Sequence, residues 1–429
     1  MPSDAADPHA EYRHRLADRK AVAAARSRRH ALCGNARLAV VLAAAALAWM
    51  SLAGGWLSPY WLALPAVAFL ALTFVQDRAR RAWRRAERAV AFYERGLARL
   101  EHRWSGGGQP GTRFLDPDHP YALDLDLFGP GSLFELLCTA RTRHGEDTLA
   151  EWLLAPTDPD TVRARQAAVA DLRPRLDLRE ELSLQGAVVP GGVELSALAA
   201  WGAAPPALPS RLLRLAALLL ALLALAALLG WWLLDLGPTP FLVAVILEAG
   251  FALALRRRVE QVIGPVDRRS RDLALLAGLL SRLEREEFTA PRLRELQAAL
   301  LTDGLSPSGQ IARLAALVEL LDSRKNIYFA PLASLLLWGT QLAFAIEAWR
   351  GRAGKAIGRW LEGVGEFEAL CALSAFAYEN PADPFPEVLA EGPVYDGEGL
   401  GHPLIPAGRC VPNDVRLGGE LRLLVISGS

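Results

Sequence analysis

Lysine is almost missing from this chain: of 47 basic side chains, only Lys20, Lys325 and Lys355 are lysine, and the rest are arginine. Cysteine is scarce as well. Cys33, Cys138, Cys371 and Cys410 stand far apart, with no CxxC pair and no histidine at ligand spacing. That pattern speaks for isolated thiols in a reducing compartment and against a metal site. Charge of one sign is also lacking. The formal net charge is zero, so the overall balance asks for no nucleic-acid partner. The first 37 residues, Met1 to Arg37, are polar and arginine-rich, without the short apolar core and small-residue cleavage site of a signal peptide.

Apolar residues are what the chain has in quantity. They make up 52% of it, and the mean hydropathy is +0.18, which points to membrane segments. Leu38–Leu57 is an uncharged run of bilayer length, and a Ser58-Pro59 turn separates it from a second run, Tyr60–Val75. Leu215–Leu234 and Phe241–Leu255 form a second pair around the turn Asp235–Pro240. Each pair predicts a helical hairpin. Arginines fix the expected orientation: Arg26, Arg28, Arg29 and Arg37 precede the first span, and Arg78, Arg80, Arg81, Arg84 and Arg85 follow the second. Arg211 and Arg214 precede the third, and Arg256, Arg257 and Arg258 follow the fourth. The positive-inside rule then places all four flanks and both chain ends on the cytoplasmic side of a membrane crossed four times, with both short turns facing outward. Glu248 inside the fourth span reads as a residue facing the bundle, with a functional intramembrane carboxylate as the alternative. A fifth apolar stretch, Ile327–Ile346, contains Pro331, Gly339, Thr340 and Gln341, and reads as a buried helix of the soluble part.

The remainder is mainly helical in pattern. Asp77–Trp104 is a charged amphipathic segment that ends at the flexible run Ser105–Gly111. Ser132–Leu154 reads as helix, and Thr157 or Asp158 with Pro159 caps the next one. Val259–Glu286, Pro291–Leu301 and Ser308–Leu321 are further amphipathic helices, and a long one ends near Tyr378. Asn380–Pro386 (NPADPFP) breaks the helical pattern, after which short strands take over. The last stretch, Leu421–Ser429 (LRLLVISGS), reads as a buried strand entering a glycine turn, the way a phosphate-binding loop begins.

Leu125–Leu172 carries the most specific pattern: Ser132-Leu133-Phe134, Thr142 to Gly145, Leu149 with Trp152-Leu153, Pro156, then Arg165-Gln166 with Val169. In that order and spacing it resembles the core domain of the MutS DNA mismatch-repair family. The tail agrees: His402-Pro403-Leu404, Val411-Pro412-Asn413-Asp414 and Leu423–Ser429 look like the entry to the MutS ATPase domain, and Glu366–Pro386 looks like the family's last core helix. The resemblance covers about residues 115–205 and 290–429. The hairpins do not belong to a standard MutS protein but fit a membrane-anchored bacterial branch.

The resemblance implies a fold and a division of the chain. Residues 1–37 are a cytoplasmic Arg-rich tail, 38–75 the first hairpin, 76–112 an amphipathic helix with a Gly linker, and 113–210 the first half of a MutS-like core. Residues 211–255 are the second hairpin, 256–379 the second half of the core with its lever helices, and 380–429 the first strands of a truncated P-loop α/β ATPase domain. It also implies ATP and Mg²⁺ as cofactors of the intact protein. Cys410, Val411 and Asn413 would sit by the adenine, and Gly428 and Ser429 would open the P-loop, whose lysine lies beyond Ser429. On this reading the chain alone should not hydrolyse ATP. The lipid bilayer is the expected partner, with a homodimer through the ATPase domain. DNA is left open, because the family's mismatch wedge and clamp have no counterpart; Phe92-Tyr93-Glu94 and Phe385-Pro386-Glu387 match the wedge motif only in letters. The competing readings are a non-enzymatic membrane scaffold and a truncated ABC-type exporter subunit.

Overall fold

A computed structural model describes residues 7–52, 58–185, 195–208, 210–267, 269–301, 304, 306–326, 329–389, 392, 394–406, 408–419 and 421–425. The protein is mainly helical. Helix α1 (Pro8–Leu52) runs for 45 residues because no proline interrupts it before Pro59, and helix α2 (Ala63–Leu100) returns beside it for 38. At 1.5 Å per residue α1 is about 68 Å long, roughly twice what a bilayer core needs. The segment expected to be an arginine-rich tail is therefore, from Pro8 on, the polar end of this helix. It lies along the polar end of α2: Arg37 donates to Gln76 (3.0 Å), His30 stacks on Trp83 and Lys20 pairs with Glu94.

The helical body follows with α3 (Leu133–Leu137), α4 (Arg143–Leu154), α5 (Pro159–Leu172), α6 (Leu176–Leu184) and α7 (Ser196–Ala203). The stretch expected as one helix over Ser132–Leu154 is two, because Thr142 is extended and caps α4 by accepting from the Gly145 N–H. Asp158 caps α5 as expected, accepting from Thr161 with Pro159 in the first turn.

The second hairpin is α8 (Arg211–Leu234) and α9 (Thr239–Ile263), turning through Asp235 and Gly237 at positive φ. Both helices expose leucines along most of their length, among them Leu219, Leu222, Leu233, Leu242 and Leu253. Among the described residues four helices, those of the two hairpins, are long and apolar enough to cross a membrane. Gly264-Pro265 ends α9, and α10 (Ser270–Arg285), α11 (Pro291–Leu300) and α12 (Pro307–Asp322) follow. The apolar stretch expected as one buried helix over Ile327–Ile346 is broken at Leu337, which has φ +47°, into α13 (Ala330–Leu335) and α14 (Trp338–Ala353). Leu342, Ala343, Phe344 and Ile346 of α14 are buried.

Helix α15 (Ile357–Glu379) is the axis of the body, buried along most of its length and packed on α4, α5, α7 and α11. The main core gathers around it. Leu273, Leu276, Leu280 and Leu283 of α10 face Ile311, Leu314, Val318 and Leu321 of α12, both at the three- and four-residue spacing of one helix face. Leu255, Val262, Ile263 and Val266 carry the base of the second hairpin into the same core. A smaller cluster forms around Phe128, Phe134 and Leu149.

Beyond Asn380 the chain leaves the helical body. Strands β1 (Tyr395–Leu400) and β2 (Asn413–Leu417) pair antiparallel, Tyr395 opposite Leu417, as an exposed ribbon. Leu421–Val425, expected to lie in a buried strand, is exposed and makes only an isolated bridge from Leu421 to Gly418. The physical reason is the lack of a sheet: no described strand lies beside these residues to pair with them or cover them.

Candidate functional site at the junction of hairpin and body

The described residues expected to hold a nucleotide, Cys410, Val411 and Asn413, lie on or next to the exposed ribbon. Val411 is 78% exposed, the Cys410 thiol accepts from the His402 N–H at 3.3 Å, and Asn413 donates to the Val411 carbonyl at 3.0 Å. None of the three principal cavities includes them. Gly428 and Ser429 lie outside the described residues. The three described residues, Cys410, Val411 and Asn413, do not by themselves form an enclosed site for ATP and Mg²⁺, and no chemical step follows from them.

Polar groups converge instead where α15 ends. Glu379, its last residue, is 6% exposed and accepts from two sides. The Tyr12 hydroxyl of α1 donates to it at 3.0 Å, and Arg99 of α2 grips both of its oxygens, Nε to Oε2 at 2.7 Å and Nη2 to Oε1. Tyr378, one residue earlier, stacks on Tyr12 with ring centroids 5.6 Å apart. Tyr12 in turn meets Tyr93 edge-on at 5.8 Å. The Tyr12 ring lies against Gly96, where an added Cβ would sit 2.5 Å from the ring edge, so only glycine admits it.

A second carboxylate sits one helix away. Glu180 of α6 accepts from Tyr93 at 2.6 Å and from Arg19 at 2.9 Å, and Arg15 reaches Asp177. Burial, then the neighbouring carboxylates, push the Tyr12 and Tyr93 phenols above their ordinary range, so both stay protonated donors. Burial works against the charge of Arg99, but the Glu379 carboxylate outweighs it and raises the guanidinium above its usual value. The segment after α15 is held as well: Arg173, which caps α5, and Gln166 and Arg163 of α5 donate to the carbonyls of Pro381, Pro386 and Val388.

Deeper in the body, Glu368 of α15 binds the break between α3 and α4. It accepts from the backbone N–H of Arg141 (2.8 Å) and Thr142 (3.2 Å) and from the Thr142 hydroxyl. Burial pushes its carboxyl up to about 7, against these hydrogen bonds. Gly145 lies in the first turn of α4, where its missing Cβ makes room for Glu368. Burial raises the Cys138 and Cys371 thiols to about 12, so both stay protonated near neutral pH. Glu248, the expected bundle-facing residue, is 4% exposed with Oε1 unpartnered, beside a cavity of about 1100 Å³ between α9 and α13–α14. Tyr93 of the wedge-like triplet is fully buried in the junction. The sequence reading missed this junction; its residues are hundreds of positions apart, and only the aromatic Tyr12 in a polar segment hinted at it.

No family model, curated protein or solved structure matches this chain.

Proposed function

We propose that this chain is the membrane-anchored body of a MutS-like ATPase. Both hairpin turns face outward from a bacterial inner membrane, and both chain ends are cytoplasmic. The sequence pattern of Leu125–Leu172 supports the family. One structural observation supports the mode of action: the helix that leads into residues 380–429 is clamped at its last residue by both helices of the first hairpin. A displacement of the C-terminal domain would pull on Glu379 and so on Tyr12 and Arg99, whose helices continue as the first two spans. In the intact protein, nucleotide would bind in the domain begun by residues 380–429, with Mg²⁺, and a homodimer would form through that domain. DNA recognition is a weaker element of the proposal. Duplexes with and without a mismatch should bind the chain equally weakly, and a tenfold preference in fluorescence anisotropy at physiological salt would reverse that.

The testing experiment is to read the gene past codon 429. Continuation as Asn-Met-x-Gly-Lys-Ser/Thr is expected; a stop codon at that point sinks the ATPase reading. A non-enzymatic membrane scaffold would then be the better account, and the exposed, pocket-free ribbon around Cys410–Asn413 favours it over an exporter subunit.

A further inference from the structure

Three arginines in this protein face one cavity without an ion-pair partner: Arg179 is buried, and Arg95 and Arg141 are half-buried. Arg95 of α2, Arg141 before α4 and Arg179 of α6 line one cavity of about 480 Å³, and none makes an ion pair among the described residues. Arg179 is 5% exposed; its Nη1 donates to the Leu172 and Arg173 carbonyls, but Nε and Nη2 are buried without a partner. Arg141 spends Nη2 on the Ser183 carbonyl at 3.1 Å and leaves Nε buried and unpartnered. Arg95 makes no hydrogen bond at all among the described residues.

The carboxylates on the cavity wall are already engaged. Glu135 accepts from the Gly108 and Gly131 N–H groups at 3.0 and 2.7 Å, and Glu368 accepts from Arg141 and Thr142 as described. The other two lining arginines, Arg99 and Arg103, pair with Glu379 and Glu101. What remains is a concentration of desolvated positive charge with free donors. Burial lowers the affinity of all three arginines for their protons, to about 10 for Arg141, and like-charged neighbours push Arg95 and Arg141 the same way. Uncompensated buried charge of this kind is strongly unfavourable unless something neutralises it.

We propose that this cavity is the binding site of a soluble organic phosphate of about mononucleotide size. The phosphate would take the free donors of Arg95, Arg141 and Arg179, since guanidinium forks match its oxygens. Phe92 and Trp104, also on the wall, offer rings to an apolar or aromatic remainder. The volume lies within the usual range for small-molecule sites. A lipid headgroup offers the same phosphate chemistry, but distance argues against it: Arg95 lies 20 residues past Val75, or about 30 Å along α2 from the expected membrane edge. The site is independent of the family reading. It stands between α2 and α15, so its ligand would stiffen the joint of the first hairpin.

The experiment uses the full chain in nanodiscs of neutral lipid, titrated with inorganic phosphate, adenosine and adenosine 5′-monophosphate by calorimetry. The monophosphate is expected to bind more tightly than inorganic phosphate, and adenosine not at all. Arg95→Gln and Arg141→Gln should each weaken the monophosphate by about tenfold to a hundredfold. Their ligand-free melting temperatures should stay close to or above that of the parent, because each removes a half-buried charge with no ion-pair partner; that readout separates lost binding from lost folding. No binding by the parent, or undiminished affinity in both variants, overturns the proposal. Stabilisation by phosphatidylglycerol nanodiscs, with no response to the soluble phosphates, would reassign the site to lipid and overturn it equally.

Discussion

The two hairpins of this protein are joined to the body in opposite ways. The second is rooted in oil: Leu255, Val262, Ile263 and Val266 at its base belong to the main core. The first is held by polar grips on a small apolar patch of Tyr12, Tyr93, Leu97 and Leu176. Apolar burial is non-directional and survives small displacements, whereas a bidentate ion pair or a phenol–carboxylate bond holds one geometry and releases outside it. The second hairpin is thus built as an anchor and the first as a joint.

Removing Glu379 should test that contrast most severely. Glu379→Ala leaves Arg99 and the Tyr12 hydroxyl buried without an acceptor, at a cost of about 3–5 kcal/mol. If the first hairpin is a separable joint, amide hydrogen exchange over residues 8–25 and 93–100 should accelerate at least about a hundredfold, while α10 and α12 stay protected. Uniform loss of protection across the body would show that the two hairpins are not distinct. The double replacement Arg99→Met with Glu379→Leu should restore most of the protection, since apolar pairs often equal buried ion pairs in stability.

At the anchor, Ile263→Ala should act globally. A cost of about 2–5 kcal/mol is expected for a buried aliphatic truncated to alanine, seen as a lower melting temperature of the entire body. Local fraying of α9 alone would contradict its place in the main core.

Glu368 sharpens the contrast from inside the body. Its carboxyl titrates near 7 when folded against an ordinary 4.5, so the folded state holds a proton that the unfolded chain gives up first. Stability from this group is complete below about 4.5, falls as pH rises to about 7 and is level above that, a change of about 3 kcal/mol. Glu368→Gln should flatten the melting temperature between pH 5 and 7 relative to the parent. An unchanged slope would remove Glu368 from the account. The smallest effect is expected at Gly96→Ala, about 1–3 kcal/mol, because the new methyl pushes the Tyr12 ring out of its seat. Quenching or exchange probes on α1 should respond to it and those on α9 should not.

Much of the architecture could be read from the chain because it is written locally. Span lengths, the proline and glycine turns, the Asp158-Pro159 cap and the end of α15 near Tyr378 are all set by neighbouring residues. The polar first segment was misleading for a definite reason. Its arginines satisfy a topology rule, so nothing in the sequence says that Arg15 and Arg19 also reach Asp177 and Glu180, more than 150 positions away. The cavity arginines Arg95, Arg141 and Arg179 are dozens of residues apart along the chain and carry no motif. Of the expected nucleotide residues, Cys410, Val411 and Asn413 share one location on or next to the ribbon, as their closeness in the chain requires.

The bond between Tyr12 and Glu379 spans 367 residues, and that separation bears on how the protein is made. At about 5–20 residues per second, tens of seconds pass between emergence of the first partner and the last. During that time Tyr12 and Arg99 lack the Glu379 carboxylate that joins them. The clasp can close only when α15 has been synthesised, so its closure reports that the body is finished. A chain stalled before Glu379 would keep that clasp open, a state that a quality-control protease or chaperone could recognise.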